Sequence, residues 1–175
     1  RILSLTQPVE ATEVKFEDLF NLDEIQRVQD EFALTTGVAS FITGIDGTPI
    51  TKPSNFCYLC SDIIRKTEQG CANCFKSDAY VGRYNPDGPI VQTCLSGGLW
   101  DAGVNIIVGG HHIANWLIGQ VRNETQSEDK MRVYATLIGA DEEAFMQAFR
   151  AVPTMSVEQF SLIAQALFTL VHQLC

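Results

Sequence analysis

The sequence predicts an α+β domain with a mixed or antiparallel sheet flanked by helices, and two observations carry this prediction. Segments with helical spacing of apolar residues and short β-branched runs follow one another as helix, hairpin, helices, three strands and helices. The chain has 175 residues, 46% apolar and 19% charged, which suits one domain with a substantial core.

An arm and a helix are expected first. Residues 1–15 show no clear period. A helix is expected over Phe16–Thr36, with Gly37 as its stop. Its apolar residues recur at helical spacing at Leu22, Ile25, Val28 and Phe32.

A β-hairpin and a helical region are predicted next. Val38–Gly44 is rich in β-branched and apolar residues, and the Asp-Gly at 46–47 is a strong turn signal before the returning segment Thr48–Thr51. The following stretch, Ser54–Cys74, reads as helical, and a second helix is expected over Ala72–Tyr84 before the turn at 85–88.

Three strands are expected after that turn, over Pro89–Cys94, Gly103–Gly109 and His112–Val121, with a tight Gly-Gly turn at 109–110. Alternation along the last strand predicts two faces. One face would carry His112, Ala114, Trp116, Ile118 and Gln120. The other would carry Ile113, Asn115, Leu117 and Val121.

The C-terminal third is predicted to be helical. Two short helices are expected over Glu128–Ile138 and Asp141–Ala151, and a third opens at Ser156, with Gln159 completing a capping box. This last helix has heptad spacing at Phe160, Ile163, Leu167, Leu170 and Leu174. The spacing is compatible with a coiled-coil seam and equally with a helix that faces the core.

Charge argues against two classes of partner. The net charge is −9 and the Lys and Arg residues form no cluster, which disfavours a nucleic-acid surface or docking to an anionic membrane. No apolar run approaches the roughly 20 residues of a membrane-spanning helix. We therefore expect neither nucleic acid nor membrane as a partner.

Four cysteines form two Cys-x-x-Cys pairs, Cys57 with Cys60 and Cys71 with Cys74. Thiolates three residues apart on a helix can reach one ion, and four of them would complete a tetrahedral zinc site. The spacing does not match the common ferredoxin patterns. The alternatives are thiols packed around a pocket, disulfides or a redox switch.

The segment Cys94–Gly103, CLSGGLWDAG, has the composition of a ligand pocket. Glycines such as Gly98 let a backbone approach a ligand closely, and Trp100 beside Asp101 offers an apolar wall and a hydrogen-bonding group. The alternative is a tight turn between strands, with Trp100 in the core.

His112 is a structural residue or a ligand. If its face were also the face that Cys94 reaches, a Cys3His metal site could form with Cys60 and Cys74. A thiol-dependent enzyme with Cys94 as nucleophile and His112 as base is a further hypothesis. The chain has no nucleophile elbow, triad signature, P-loop or dinucleotide fingerprint to support an enzyme.

Five motifs resemble the PocR sensory-domain family, and they match in order over roughly Phe16–Val121. They are GIDGTPIT, SNFCYLC, GCANCFKSD, CLSGGLWDAG and HHIANWLIGQV. The resemblance implies a PAS-like fold, a sheet cupping a cavity with helices over it. It also implies a cytoplasmic ligand-sensing input domain of bacterial or archaeal signalling proteins, ahead of a histidine kinase, a cyclase or a DNA-binding output domain. The implied ligands are small hydrocarbon derivatives such as diols.

The resemblance also assigns residues. The usual cysteines of the family fall at Cys60, Cys74 and Cys94, whereas Cys57 and Cys71 are additions in this chain. The glycines and the Asp of GGLWDAG match, as does the Gly-Gln of IGQV. The implied domains are an arm at 1–15, a sensory domain at 16–155 and a signalling helix at 156–175. That helix would lead into a covalently linked output domain and form a homodimer.

These observations together predict a non-catalytic sensory domain that binds a small molecule. The expected ligand-binding residues are Cys60, Cys74, Cys94, Gly98, Trp100, Asp101, His112, Trp116 and Gln120. The first alternative is a metal or redox sensor built on Cys60, Cys74 and Cys94, with zinc or an iron–sulfur cluster. Its candidate metal ligands are Cys57, Cys60, Cys71, Cys74, Cys94 and His112. A module in which zinc only holds the fold is a further alternative.

Overall fold

The computed structural model describes residues 14–123 and 126–175. The expected arm at 1–15 therefore lies almost wholly outside the described residues. The helices of the described chain are α1 (Phe16–Leu19), α2 (Leu22–Thr36), α3 (Glu68–Val81), α4 (Glu128–Leu137), α5 (Glu142–Ala151) and α6 (Val157–Leu174). The strands are β1 (Ala39–Gly44), β2 (Ile90–Thr93), β3 (Trp100–Val108) and β4 (His111–Val121).

The strands form one antiparallel sheet in the order β1-β4-β3-β2. Helices α2 and α6 contribute to the core on one face of the sheet, and α3 packs against the other. The prediction of an α+β fold is confirmed, and the architecture is consistent with the PAS-like fold that the family resemblance implies.

Two segments near the N-terminus differ from the sequence prediction. The first helix is divided, because the Asn21 side chain accepts hydrogen bonds from two backbone N–H groups and so caps α2 as a separate helix. The hairpin after β1 pairs only through isolated bridges, including Thr43 with Pro49. A proline lacks the N–H that a strand ladder needs, and β1 takes β4 as its partner instead.

The cysteine-rich stretch is helical, but its first part is irregular. A π-helical turn at Leu59–Ile63 passes into a 3-10 turn at Ile64–Lys66, and α3 follows after Thr67. We call Leu59–Lys66 the cysteine turn. It packs with α4 and α5 in a second core that includes Leu59, Ile64, Phe145 and Phe149.

The heptad spacing of α6 serves the core. Phe160 and Leu167 are fully buried with the sheet, and Ile163 and Leu170 pack against the same cluster. Leu174 remains 47% exposed at the end of the helix. The core-facing interpretation accounts for this spacing, so the spacing by itself does not indicate a coiled coil.

Candidate functional site

A cavity lies between the sheet and the cysteine-bearing helices. The space between its walls is about 520 Å³, a figure that includes the open solvent at its mouth. One wall is the sheet, the opposite wall is the cysteine turn with α3, and the loop from 94 to 99 closes one side. Apolar side chains that line it include Phe41, Phe56, Ile64, Val81, Leu99 and Leu117.

Two acidic residues line the cavity, Asp78 and Asp101, and only Asp101 comes from the sheet. It lies on β3 opposite Gly119 of β4, and a Cβ at Gly119 would overlap the Asp101 carboxyl. Desolvation by the surrounding protein raises the pKa of Asp101 to about 8, with a smaller contribution from the charge of Asp78. At neutral pH the carboxyl is therefore mostly protonated and presents a hydroxyl donor as well as an acceptor.

A β-bulge turns Gln120 towards this cavity. Trp100 pairs with Val121 and Asp101 pairs with Gly119, so Gln120 is an extra residue in β4, with φ +61°. Its Oε1 accepts a hydrogen bond of 2.7 Å from the backbone N–H of Cys57. The bulge therefore joins the end of β4 to the chain just before the cysteine turn.

Three thiols converge on the cavity from three elements. Cys60 lies in the cysteine turn, Cys74 on α3, and Cys94 directly after β2. A hydrogen bond with Cys57, then burial, raises the pKa of Cys60, while desolvation raises the pKa of Cys74 and of Cys94. Protonated thiols in such surroundings act as small apolar groups and weak donors.

An ion pair forms another part of the wall. Arg65 of the cysteine turn donates to Asp78 of α3 at 3.1 Å, and its guanidinium lies 5.7 Å from the centre of the Phe56 ring. Desolvation raises the pKa of Asp78 despite this pairing. The cavity therefore holds one positive and one negative group that compensate each other, beside a largely neutral Asp101.

Hydrogen bonds fix the loop that carries Cys94. The Leu95 N–H donates to Ser77 Oγ at 2.6 Å, and Ser96 Oγ lies 2.6 Å from Tyr134 Oη of α4. Gly98 has φ +66°, and the adjacent Gly97 carbonyl accepts from the Gln126 side chain. The loop is thereby held against α3 and α4.

Trp100 and Trp116 lie on the opposite face of the sheet from the cavity. The Trp116 indole N–H donates to Ser40 Oγ at 2.7 Å, and its ring meets Phe32 of α2 edge-on. Trp100 packs against the same core. Neighbouring strand residues point to opposite faces, so placing Asp101 in the cavity puts Trp100 on the far side. The expectation that both tryptophans line the cavity is therefore corrected.

His112 is also displaced from its expected position. Ile106 pairs with Ala114 and Ile107 with His112, so a second irregularity at Ile113 interrupts the alternation. The His112 ring instead hydrogen-bonds Asn115 Oδ1 at 2.7 Å. The prediction that it shares a face with Trp116 is wrong, because its partner Ile107 and the Trp116 partner Val104 lie on opposite faces of β3.

His112 also lies far from the thiols, at the opposite end of β4 from Gly119. Its partner Ile107 lies six positions along β3 from Asp101, or roughly 20 Å at the rise of a strand. The structure therefore does not bring His112 near Cys94, as the nucleophile–base hypothesis required. Nor does it bring His112 near the three thiols of the hypothetical Cys3His metal site.

The four-cysteine clamp does not assemble either. Within residues 14–123 and 126–175, no three or more His, Cys, Asp or Glu side chains are arranged to hold a metal ion. Cys74 is buried in the cavity wall, whereas Cys71, one turn earlier on α3, is partly exposed. Cys57 contacts the Cys60 thiol beside the cavity.

In the same described ranges, no helix is long and apolar enough to cross a membrane.

Sequence reasoning missed the polar groups that α3 contributes. Ser77 and Asp78 lie three and four residues after Cys74, and Val81 follows at the next turn, so all three share its helix face. This spacing is the signal that could have found them. Arg65 had no comparable signal, because its position depends on the irregular cysteine turn.

Comparison with known proteins identifies the family of this chain. The chain is 27% identical over 159 residues to the "Regulatory protein PocR" of Salmonella typhimurium strain LT2, covering 87% of this chain and half of that protein. No solved structure gives a significant match. The family model described as "Sensory domain found in PocR" matches residues 18–175. The chain therefore belongs to the PocR sensory-domain family.

Proposed function

We propose that this chain is the ligand-sensing input domain of a cytoplasmic regulatory protein. Its ligand would be a small uncharged organic molecule with a hydroxyl or carbonyl oxygen. Family membership supports the sensory role, and the relative is by name a regulatory protein. The chain spans about half the length of that relative, which leaves room there for a separate output domain.

The observation that carries the ligand class is the Asp101 carboxyl, placed in a mostly apolar cavity and opposite Gly119. A carboxyl with a pKa of about 8 can donate to a ligand oxygen at neutral pH without placing a charge beside it. The thiols of Cys60, Cys74 and Cys94 add weak donors without charge. Short alcohols, diols and aldehydes fit this surface.

The ion pair in the wall argues against a charged ligand. Arg65 is the cationic group of the cavity lining, and Asp78 already pairs with it. A carboxylate ligand would compete with Asp78 for that charge, and an ammonium ligand would meet Arg65. Either would lose its hydration without a dedicated counter-ion.

The response would be a population shift between packings of the cavity walls. A ligand that contacts Asp101 and the cysteine turn together favours the packing in which both reach it. The next residue along β3, Trp100, packs on the opposite core with α6. A change at Asp101 can therefore pass through the strand to α6, which we propose as the link to an output domain.

The first experiment is a thermal-shift screen of the chain with short alcohols, diols and aldehydes, against carboxylates and amines of the same carbon count. We expect uncharged compounds to raise the Tm. Asp101→Ala should abolish the shift, Asp101→Asn should retain part of it because the amide still donates, and the exposed control Asp87→Asn should behave as the unsubstituted chain. Stabilisation by charged compounds alone, or full binding by Asp101→Ala, would contradict the proposal.

A parallel measurement tests the alternative of a metal sensor. Metal, sulfide and free-thiol content should be determined on protein purified anaerobically without chelator. We expect six reactive thiols after unfolding and no stoichiometric metal. About one equivalent of zinc or iron with protected thiols would replace the organic-ligand proposal by thiolate ligation.

A further inference from the structure

Cys57 and Cys60 lie at the two ends of one helical turn. The N–H groups of Cys60 and Ser61 both donate to the Cys57 carbonyl, each at 3.1 Å. Residues three apart in a helical turn have Cα atoms about 5 Å apart, within the roughly 4.4–6.8 Å that a disulfide spans, whereas their Cβ atoms, about 5–6 Å apart, must approach to about 3.5–4.5 Å. The two thiols also contact each other directly.

The second Cys-x-x-Cys pair has the same spacing but a different setting. Cys71 and Cys74 both lie inside the regular helix α3, and the Cys74 thiol hydrogen-bonds Ser96. Cys57, by contrast, is the first residue of its helical turn and follows an irregular loop in which Asn55 has φ +53°. Its backbone can adjust to a bond with Cys60 without breaking a helix.

The two thiols of the first pair also differ chemically. Cys57 is partly exposed, and its contact with Cys60 lowers the pKa of Cys57. Cys60 is 7% exposed and its pKa is raised. An accessible sulfur that ionises more easily therefore lies against a buried partner, an arrangement suited to oxidation in two steps.

We infer that Cys57 and Cys60 form an oxidisable dithiol that hydroperoxides convert to a disulfide, and that this closure draws Cys60 away from the cavity wall. In the first step the Cys57 thiolate attacks the peroxide O–O bond, giving a sulfenic acid and releasing water from hydrogen peroxide after protonation. In the second, Cys60 sulfur attacks Cys57 sulfur, and the hydroxyl leaves as water with the Cys60 proton. Two thiols and one peroxide thus yield one disulfide and two waters.

Closure would alter the site on two sides. Cys60 lines the cavity near Cys94, so moving its sulfur towards Cys57 exposes the Cys94 thiol. The Cys57 N–H also holds the Gln120 side chain at 2.7 Å, and displacement of Cys57 loosens that contact. The dithiol thereby adds a redox input to this cavity. Its chemistry can be tested without any organic ligand.

To test this, the reduced 175-residue chain is treated with a small excess of hydrogen peroxide and its remaining thiols are alkylated. Mass spectrometry of the tryptic peptides then shows which cysteines were alkylated. Cys57 and Cys60 fall on one tryptic peptide that ends at Arg65, apart from Cys71 and Cys74. We expect that peptide to lose two hydrogens and escape alkylation. Cys57→Ser should abolish this loss, whereas the matched control Cys71→Ser should preserve it.

A second readout follows the cavity. The native alkylation rate of Cys94 should rise about fivefold or more on oxidation and stay unchanged in peroxide-treated Cys57→Ser. A disulfide that includes Cys74 or Cys94, equal thiol loss in Cys57→Ser, or no thiol loss at all would overturn the dithiol. A Cys57–Cys60 disulfide that leaves the Cys94 rate unchanged would overturn its effect on the cavity.

Discussion

On the cavity face of the sheet, the Asp101 carboxyl lies where the side chain of residue 119 would be if that residue were not glycine. The two residues pair directly across β3 and β4, and the Asp101 carboxyl fills the space that a Cβ on Gly119 would occupy. Because Gly119 on β4 has no side chain, the carboxyl of Asp101 on the neighbouring strand β3 can lie in the cavity. This relationship also explains why a glycine precedes Gln120 at the bulge.

Gly119→Ala should displace the Asp101 side chain. The added methyl would overlap the carboxyl and lie 2.9 Å from the Trp100 carbonyl, so we expect a loss of about 1–3 kcal/mol in the free energy of unfolding. Gly88→Ala is the control, because a Cβ there meets nothing within 4 Å, and it should stay within about 0.5 kcal/mol. Denaturant unfolding measures both. Combining Gly119→Ala with Asp101→Ala should cost less than the sum of the single changes, and strict additivity would refute the overlap.

Asp101 should make stability fall as pH rises. Its pKa is about 8 in the fold against 3.8 for an ordinary aspartate, so the folded state holds more protons between these pH values. Stability is then lost progressively from about pH 4 to pH 8 and is constant above that range. Asp101→Asn removes this loss, so its stability relative to the unsubstituted chain should increase by a few kcal/mol from pH 4 to pH 8. Urea unfolding at several pH values checks this, with Asp87→Asn as control, and a difference independent of pH would exclude a raised pKa at Asp101.

Asp78→Asn should change the ligand charge that the cavity accepts. The substitution leaves the Arg65 guanidinium without its 3.1 Å partner, so a carboxylate ligand gains an available counter-ion. In thermal-shift assays we expect a hydroxy acid to stabilise this variant more than the diol of the same carbon count. The control Glu128→Gln removes an exposed ion pair with Arg150, away from the cavity, and should leave the preference unchanged. An unchanged preference in Asp78→Asn would mean that Arg65 does not set ligand charge.

Two leucines on α6 distinguish a core-facing helix from a coiled-coil seam. Leu167→Ala should cost about 2–5 kcal/mol because its side chain is fully buried, whereas Leu162→Ala, at a side chain 71% exposed, should change stability by less than about 0.5 kcal/mol. Thermal unfolding at several protein concentrations should give the same Tm for the unsubstituted chain. A Tm that rises with concentration and is lost in Leu167→Ala would instead place that residue in a dimer interface.

Local patterns were sufficient for most of the elements. Apolar spacing placed α4, α5 and α6 to within a residue or two and gave the end of α2 correctly, because each buries one stripe of its surface, but it did not show the break between α1 and α2. The Gly-Gly turn between β3 and β4 was also predicted, and both glycines have positive φ. Trp100–Asp101 was expected near a turn but begins β3, since pairing with β4 extends the strand beyond its β-branched residues.

Alternation along β4 shows where local reasoning failed. Ala114 and Trp116 share a face as predicted, and both belong to the core beneath α6. His112 and Gln120, near the two ends of the strand, do not lie on that face. His112 precedes the extra residue Ile113, and Gln120 is itself an extra residue. The position of a bulge depends on the pairing with the neighbouring strand, and this pairing cannot be predicted from the sequence of one strand alone.

The sequence by itself determined the element types, because these depend on local periodicity. Its motifs carried the resemblance to the family, and that resemblance singled out the three cysteines that meet at the cavity. Tertiary structure alone decided which groups join those cysteines. Arg65 and Asp78 meet from two helical elements, and the Asp101 carboxyl enters the space left by Gly119. Burial then decided the chemistry, because desolvation raises the pKa of Asp101 to about 8 and keeps its carboxyl mostly protonated at neutral pH, which the ordinary pKa of an aspartate does not predict.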